Sequence, residues 1–129
     1  VRVLIAVRDL DRAIRTYGSG LGLAVDAPVL DPQRGVASAL VHPPSGGTIE
    51  LLAVRDATRP LAAAIDTHLA SRGEGLYALT LQARQPIELL PGLHRHGLHA
   101  HVAANHSETI EIPPAAMFGA RIRIEPSPG

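Results

Sequence analysis

Apolar positions along the chain change their period in a regular order. The opening segment Val1-Arg2-Val3-Leu4-Ile5-Ala6-Val7 is apolar at its odd positions, the alternation of a buried strand. Asp9 stands where a side-chain oxygen caps a helix by accepting from a free backbone N–H of the first turn. Leu10, Ala13, Ile14 and Tyr17 follow at i, i+3, i+4 and i+7, one apolar stripe, and Gly18, Gly20 and Gly22 bring it to a stop. Three strand-like segments come next: Leu23 to Val25, running on toward Leu30; Val36 to Val41; and Thr48 to Val54. Asp31-Pro32 and Pro43-Pro44-Ser45-Gly46-Gly47 supply the turns between them.

A connecting helix over about 58–72 is expected, with Pro60 in its first turn and a stripe of Leu61, Ala64, Ile65, His68 and Leu69, ending near Gly73. The order then begins again. Leu76 to Ala83 reads as a strand, and Pro86 opens a helical segment with Ile87, Leu90 and Leu93 that Pro91-Gly92 should shorten or kink. His99 to Ala104, Thr109 to Ile112 and Ala120 to Ile124 complete three further strands. The pattern βαβββ thus occurs twice, in an expected module one of about 1–55 and module two of about 74–125. Both halves share a Gly-Leu after the helix (Gly20-Leu21, Gly97-Leu98) and a Pro-Pro turn before the last strand (Pro43-Pro44, Pro113-Pro114). A four-stranded half leaves one apolar face bare, so the expected fold is α+β: two modules pairing into a curved mixed sheet with a concave cup, in a single domain.

Composition narrows the chemistry. The 12 basic residues balance 12 acidic ones, so no overall field favours nucleic acid or an anionic membrane. Without cysteine, disulfide and thiolate chemistry are excluded. No apolar run approaches the ~18 residues of a membrane span, and a cytoplasmic location is the expectation. Aromatic residues are only Tyr17, Tyr77 and Phe118, which makes the core aliphatic and a stacking platform for bases difficult to build. The glycines at 18, 20 and 22 follow a helix instead of preceding one, so they form no phosphate cradle, and no Gly-x-Ser-x-Gly elbow occurs.

Ile5-Ala6-Val7-Arg8-Asp9-Leu10-Asp11-Arg12-Ala13-Ile14, followed by Tyr17 and Gly20-Leu21-Gly22-Leu23, resembles the vicinal oxygen chelate superfamily, the glyoxalase, bleomycin resistance and extradiol dioxygenase-like proteins. Arg72-Gly73-Glu74-Gly75-Leu76 resembles the opening of the second module in epimerase-like members, and Gly46-Gly47-Thr48-Ile49-Glu50-Leu51-Leu52 resembles the fourth strand of the first. The texture is closest to methylmalonyl-CoA epimerase-like members. The resemblance implies a homodimer, and in metal-dependent members four ligands, one on each of four strands. Carried onto this chain, those positions hold Arg2, Glu50, Ala78 and Arg123. Only Glu50 is a ligand type, and a guanidinium that stays protonated opposes a cation. No metal is therefore expected; Zn, Ni, Mn or Fe belongs to an alternative in which the chain is a lyase or epimerase acting beside a carbonyl or thioester.

Strand parity adds a second view of the cup. If Glu50 faces inward, so do Thr48 and Leu52; Arg2 goes with Leu4 and Ala6, Ala78 with Thr80, and Arg123 with Arg121. The expected binding residues are Arg2, Leu4, Glu50, Leu52, Ala78, Thr80 and Arg123. They form either a structural Arg–Glu–Arg cluster filling a vacated metal site, or a receptor gripping an anionic group, with Glu50 as a general base.

His94, His96, His99, His101 and His106 are a second candidate, since His99 and His101 on one strand face can chelate Zn or Cu. Polar surface is the competing reading. His68 is expected in a partly buried place on its helix stripe, and His42 at the sheet rim. The favoured expectation is a metal-independent protein that binds a small, anionic organic molecule, as a sequestering binder or a divergent enzyme; a non-catalytic dimerisation module is the third reading.

Overall fold

The computed structural model describes residues 2–44, 46–104, 106–114 and 121–127. Val1, Ser45 and Ala120, expected in the first strand, a turn and the last strand, lie outside the described residues. Two compact units make up the chain, Arg2–Tyr77 and the residues from Ala78 onward, so the connecting helix belongs to the first.

The first unit runs β1 (Arg2–Ala6), α1 (Leu10–Arg15), β2 (Ala24–Val25), β3 (Val29–Asp31), β4 (Val36–His42), β5 (Thr48–Val54) and α2 (Pro60–Arg72), and it contains the start of β6 (Gly75–Ala83). Its sheet has the order β2-β4-β5-β1, with β3 also paired to β4. β1 lies parallel to β5, and the other pairs are antiparallel. Ala37, Ala39, Val41, Leu51 and Ala53 turn one way and pack with Val7, Leu10 and Ala13. Alternation therefore sends Leu4, Leu40, Glu50 and Leu52 to the other face. Each fully buried leucine, such as Leu51, contributes about 2 kcal/mol.

Local chemistry explains the ends of these elements. The Asp9 carboxylate accepts from the Arg12 backbone N–H at 3.1 Å, as the cap expected of it. The helix stripe reaches Tyr17, yet α1 stops at Arg15 and widens into a π turn over Thr16–Gly20, with Leu21 N donating to Thr16 O at 3.0 Å. Gly18 and Gly20 lower the helical preference there, and Gly22, at φ 72°, ends it. The strand expected from Leu23 toward Leu30 is broken into β2 and β3 around Pro28, which has no N–H to give a ladder. α2 starts at Pro60 and buries Ala62, Ile65 and Leu69, while His68 is half-buried and stands edge-on to Tyr77, ring centroids 5.3 Å apart.

In the second unit, β6 from Ala78 pairs in parallel with β9 (Arg121–Pro126), which is antiparallel to β8 (His106–Ile112), itself antiparallel to β7 (His101–Ala103). Pro86 opens a 3-10 turn to Leu89, and α3 follows over Leu90–Arg95. Pro91 falls in the first turn of α3, where a missing N–H costs nothing, so it begins a helix instead of kinking one. Ala100, Ile110, Ile112, Ile122 and Ile124 form the core beneath Leu90 and Leu93. The strand expected from His99 starts only at His101. The backbone of Ala100 is already committed locally: its N–H donates to Leu98 O at 2.8 Å, and its carbonyl accepts from His94 Nε2 at 2.8 Å. The βαβββ order thus occurs in both units, and the chain is α+β as its sequence pattern requires.

Candidate functional site

The turn from β3 to β4, Asp31-Pro32-Gln33-Arg34-Gly35, folds back on itself. Gly35 N donates to Asp31 O at 2.9 Å, and Arg34 N donates to Asp31 Oδ1 at 3.2 Å, so the aspartate side chain closes the turn as an Asx cap. Gly35 takes φ 74°, and its carbonyl accepts from both Arg55 and Asp56. This geometry sends the Arg34 side chain over the Glu50 face of the sheet.

Arg34 then makes a two-sided clamp. Its Nε donates to Asp31 Oδ2 at 2.6 Å, while Nη1 and Nη2 donate to Glu50 Oε1 and Oε2 at 3.3 and 3.0 Å. Glu50 lies at the centre of β5, opposite Leu40 on one side and Leu4 on the other, with its side chain only 5% exposed. A carboxylate so placed is costly unless charged donors meet both oxygens, and here they do. The hydrogen bond from Arg34 is the main reason the Asp31 carboxyl is held below its ordinary range. Glu50 in turn raises the pKa of Arg34, which fixes its positive charge.

Around the clamp is a cleft of about 500 Å³. Arg34, Asp31, Asp26 and Glu50 give it polar points, and Ala27, Val29, Leu30, Pro32 and Leu40 give it apolar walls. At its edge Asp26 pairs with His42 at 2.9 Å, across the exposed end of β4, which places His42 at the sheet rim as expected.

Of the sequence-selected residues in the first unit, Arg2, Leu4, Glu50 and Leu52 share one face by register. Leu52 is fully buried, and Arg2 is half exposed with a nitrogen 3.7 Å from Glu50 Oε2. That separation exceeds a charge-assisted hydrogen bond, so Arg2 is the looser partner. In the second unit, Thr80 is opposite Arg123, Arg123 opposite Glu111, and Glu111 opposite His101, one cross-strand row; Ala78 is opposite Arg121. Arg123 donates to Glu125 at 2.9 Å and lies 3.9 Å from Glu111.

Each unit thus has its own ion pairs around these residues. In the first unit Arg34 and Arg2 hold Glu50, and in the second Arg123 pairs with Glu125 and Glu111. Strand alternation missed Arg34 because it says nothing about a turn. The available signal was an Asp-Pro start closed by a glycine four residues after the Asp, the pattern of a side-chain-capped turn that re-aims the residue between them.

The five clustered histidines are exposed, and His94 spends Nε2–H on a backbone carbonyl. His99 precedes β7, so His99 and His101 do not form a His-x-His pair within a strand. Among the described residues no group of three or more His, Asp or Glu side chains comes together to hold a metal ion. The divalent cation implied by the resemblance also does not fit the matched positions. Arg2 and Ala78 offer no ligand atom, and both oxygens of Glu50 already accept from Arg34.

The chain belongs to the Glyoxalase/Bleomycin resistance protein/Dioxygenase superfamily, whose family model matches residues 2–107. Among solved structures it is similar to methylmalonyl-CoA epimerase from Mycobacterium tuberculosis, at 28% identity and a TM-score of 0.66, covering 98% of this chain and 87% of that one. A hypothetical protein from Bacillus halodurans C-125 matches at 19% identity and TM-score 0.70, over 99% of this chain and 93% of that one. A variant Streptomyces coelicolor methylmalonyl-CoA epimerase, in complex with 2-nitronate-propionyl-CoA, matches at 16% and 0.63, over 98% and 96%. No curated protein sequence matches the chain significantly. No helix among the described residues is long and apolar enough to cross a membrane.

Proposed function

We propose that this chain is a metal-independent member of its superfamily that binds a small organic molecule on the Glu50 face of its first unit. The observation that carries this reading is the bidentate pairing of Glu50 with Arg34 beside a partly apolar cleft of about 500 Å³. A guanidinium occupies both carboxylate oxygens, so a cation would have to displace a bidentate ion pair to gain one protein ligand. The loosely held, half-exposed Arg2 supplies the contact for an anionic portion of the ligand. A homodimer is part of this reading, and a monomer in sedimentation equilibrium at micromolar concentration would remove it.

Metal content after purification, with calorimetric titration of Ni, Zn, Mn and Fe(II), tests the reading. The expected result is no stoichiometric uptake by well-folded protein. Tight uptake abolished by Glu50→Gln would overturn it.

A second reading is favoured by the 28% identity to the M. tuberculosis epimerase over 98% of this chain: a lyase or epimerase acting beside a carbonyl or thioester. In it Glu50 would serve as general base, which requires Arg34 to leave it, because both carboxylate oxygens face the guanidinium and not a substrate proton. Deuterium exchange from solvent into the α-position of a CoA thioester, lost in Glu50→Gln, would favour this second reading over the first.

A further inference from the structure

A groove of about 300 Å³ lies on the other face of the first unit's sheet, away from Glu50. Its floor is Ile5 and Val7, which alternate with Leu4 and Ala6 and so turn toward the α1 side. One wall is α1 and the turn that follows it. Asp9, Arg12, Ala13 and Thr16 recur at i, i+3, i+4 and i+7, so a single stripe faces the groove, with Tyr17 beside it. The opposite wall is Glu74, in the short link from α2 to β6.

The hydrogen bonds already made divide these groups into spent and unspent. Asp9 accepts from the Arg12 backbone N–H at 3.1 Å, and Thr16 Oγ1 donates to the Arg12 carbonyl at 3.0 Å. Among the described residues, the Arg12 guanidinium, the Glu74 carboxylate and the Tyr17 hydroxyl have no hydrogen-bond or ion-pair partner. Arg12 and Glu74 thus carry opposite charges on opposite walls of one groove, and no ion pair joins them across it. A purely anionic ligand would meet Glu74, and Asp9 beside Arg12, with like charge. A purely cationic one would meet Arg12. A molecule that carries both charges satisfies both walls, and the floor of Ile5, Val7 and Ala13 gives its apolar part a surface to cover.

We propose that this groove binds a zwitterionic α-amino acid with an apolar side chain. Its carboxylate pairs with Arg12, its ammonium with Glu74, and its side chain lies on Ile5, Val7 and Ala13, against the Tyr17 ring. The site is on the sheet face opposite the cleft of the proposed function and does not depend on that reading.

The test is an NMR titration of the full chain, following backbone amides, with L-leucine and L-phenylalanine. Each is compared with analogues that lack the ammonium (4-methylpentanoate, 3-phenylpropanoate) or the carboxylate (3-methylbutylamine, 2-phenylethylamine). At least one amino acid is expected to bind with a Kd on the order of 1 mM, the range for so few atoms in an open groove. It should bind about fivefold more tightly than either of its analogues, the upper end of what an exposed ion pair contributes. The largest shifts are expected at Val7, Arg12, Tyr17 and Glu74. In Glu74→Gln the advantage over the ammonium-free analogue should vanish while that over the amine persists, and Arg12→Gln should do the reverse. Both side chains are exposed, so both variants keep the fold. Analogues that bind as tightly as their parent would overturn the inference, and a preference for the amine would overturn it in favour of a cation site. Shifts confined to Val29, Leu30 and Arg34 would move the ligand to the Glu50 face and overturn it as well. If neither amino acid perturbs the groove, it is not an amino-acid site, and the proposed function of the Glu50 face is untouched.

Discussion

Glu50 and Asp31 are held by the same guanidinium but in different surroundings, and their variants should differ accordingly. Replacing Arg34 with Met leaves only the looser Arg2, 3.7 Å away, against a carboxylate whose side chain is 5% exposed. Breaking a buried pair in this way costs about 3–5 kcal/mol; with Arg34 itself about one-third exposed, a loss of about 2–3 kcal/mol is expected in urea unfolding. Adding Glu50→Gln should recover most of that loss, and if it does not, the cost lies in packing instead of charge. Asp31 acts at the surface, where its effect is read through pH. Its folded-state pKa is depressed, chiefly by the Arg34 hydrogen bond, so its contribution is fully present above the unfolded value of about 3.9 and is lost as pH falls through the lower folded value. The gap in melting temperature between wild type and Asp31→Asn should therefore be flat from about pH 5 to 8 and narrow as pH falls below about 3.9. A gap that does not narrow on acidification would mean that Asp31 acts through something other than its charge.

The β3–β4 turn is the element on which the site depends. A Cβ at Gly35 would overlap the backbone carbonyl oxygen of Asp56 and come within 2.9 Å of the Arg59 side chain, at a φ of 74° that other residues resist. Backbone oxygen cannot move aside as a flexible side chain can. Gly35→Ala is expected to cost about 2–4 kcal/mol and to loosen the clamp as well, visible as altered Arg34 Nε chemical shift in the folded variant. Gly22, at φ 72° with open space around its Cβ position, is the control: Gly22→Ala should cost only the strain of its φ, about 1 kcal/mol. The contrast also marks where sequence reading stopped. β4 and β5 were legible as short apolar runs between turn residues, buried on both faces, and side-chain parity along each run separated the two faces. That parity correctly put Glu50 with Leu4 and Leu52. The residue that completes the site comes from a turn, whose direction is set by hydrogen bonds from Asp31 and by one glycine, and no periodicity carries that information.

At the scale of the whole chain, the repeated βαβββ order was legible because each half needs its own apolar face, and the apolar segments that build it recur in the same element order. Aliphatic side chains do nearly all of this: Leu51 and Ala39 in the first core, Ile110 and Ile124 in the second. What did not come through was the share of the connecting helix, which belongs with the first unit: its Leu69 carbonyl accepts from Arg8 Nη2 at 2.8 Å, and its start follows the Asp56 segment that bonds Gly35. Such side-chain-to-backbone ties leave no trace in a hydrophobic pattern. Two cores in one chain make a prediction about how stability is distributed. Leu51 and Ile110 are both fully buried, and truncating either to Ala should cost about 2–5 kcal/mol. In native-state hydrogen exchange, Leu51→Ala is expected to reduce protection chiefly in β4 and β5, and Ile110→Ala chiefly in β8 and β9, because each removes contacts from a separate cluster. If instead either substitution lowers protection equally throughout, the most protected amides exchange only by unfolding of the entire chain, and the two cores constitute one cooperative unit.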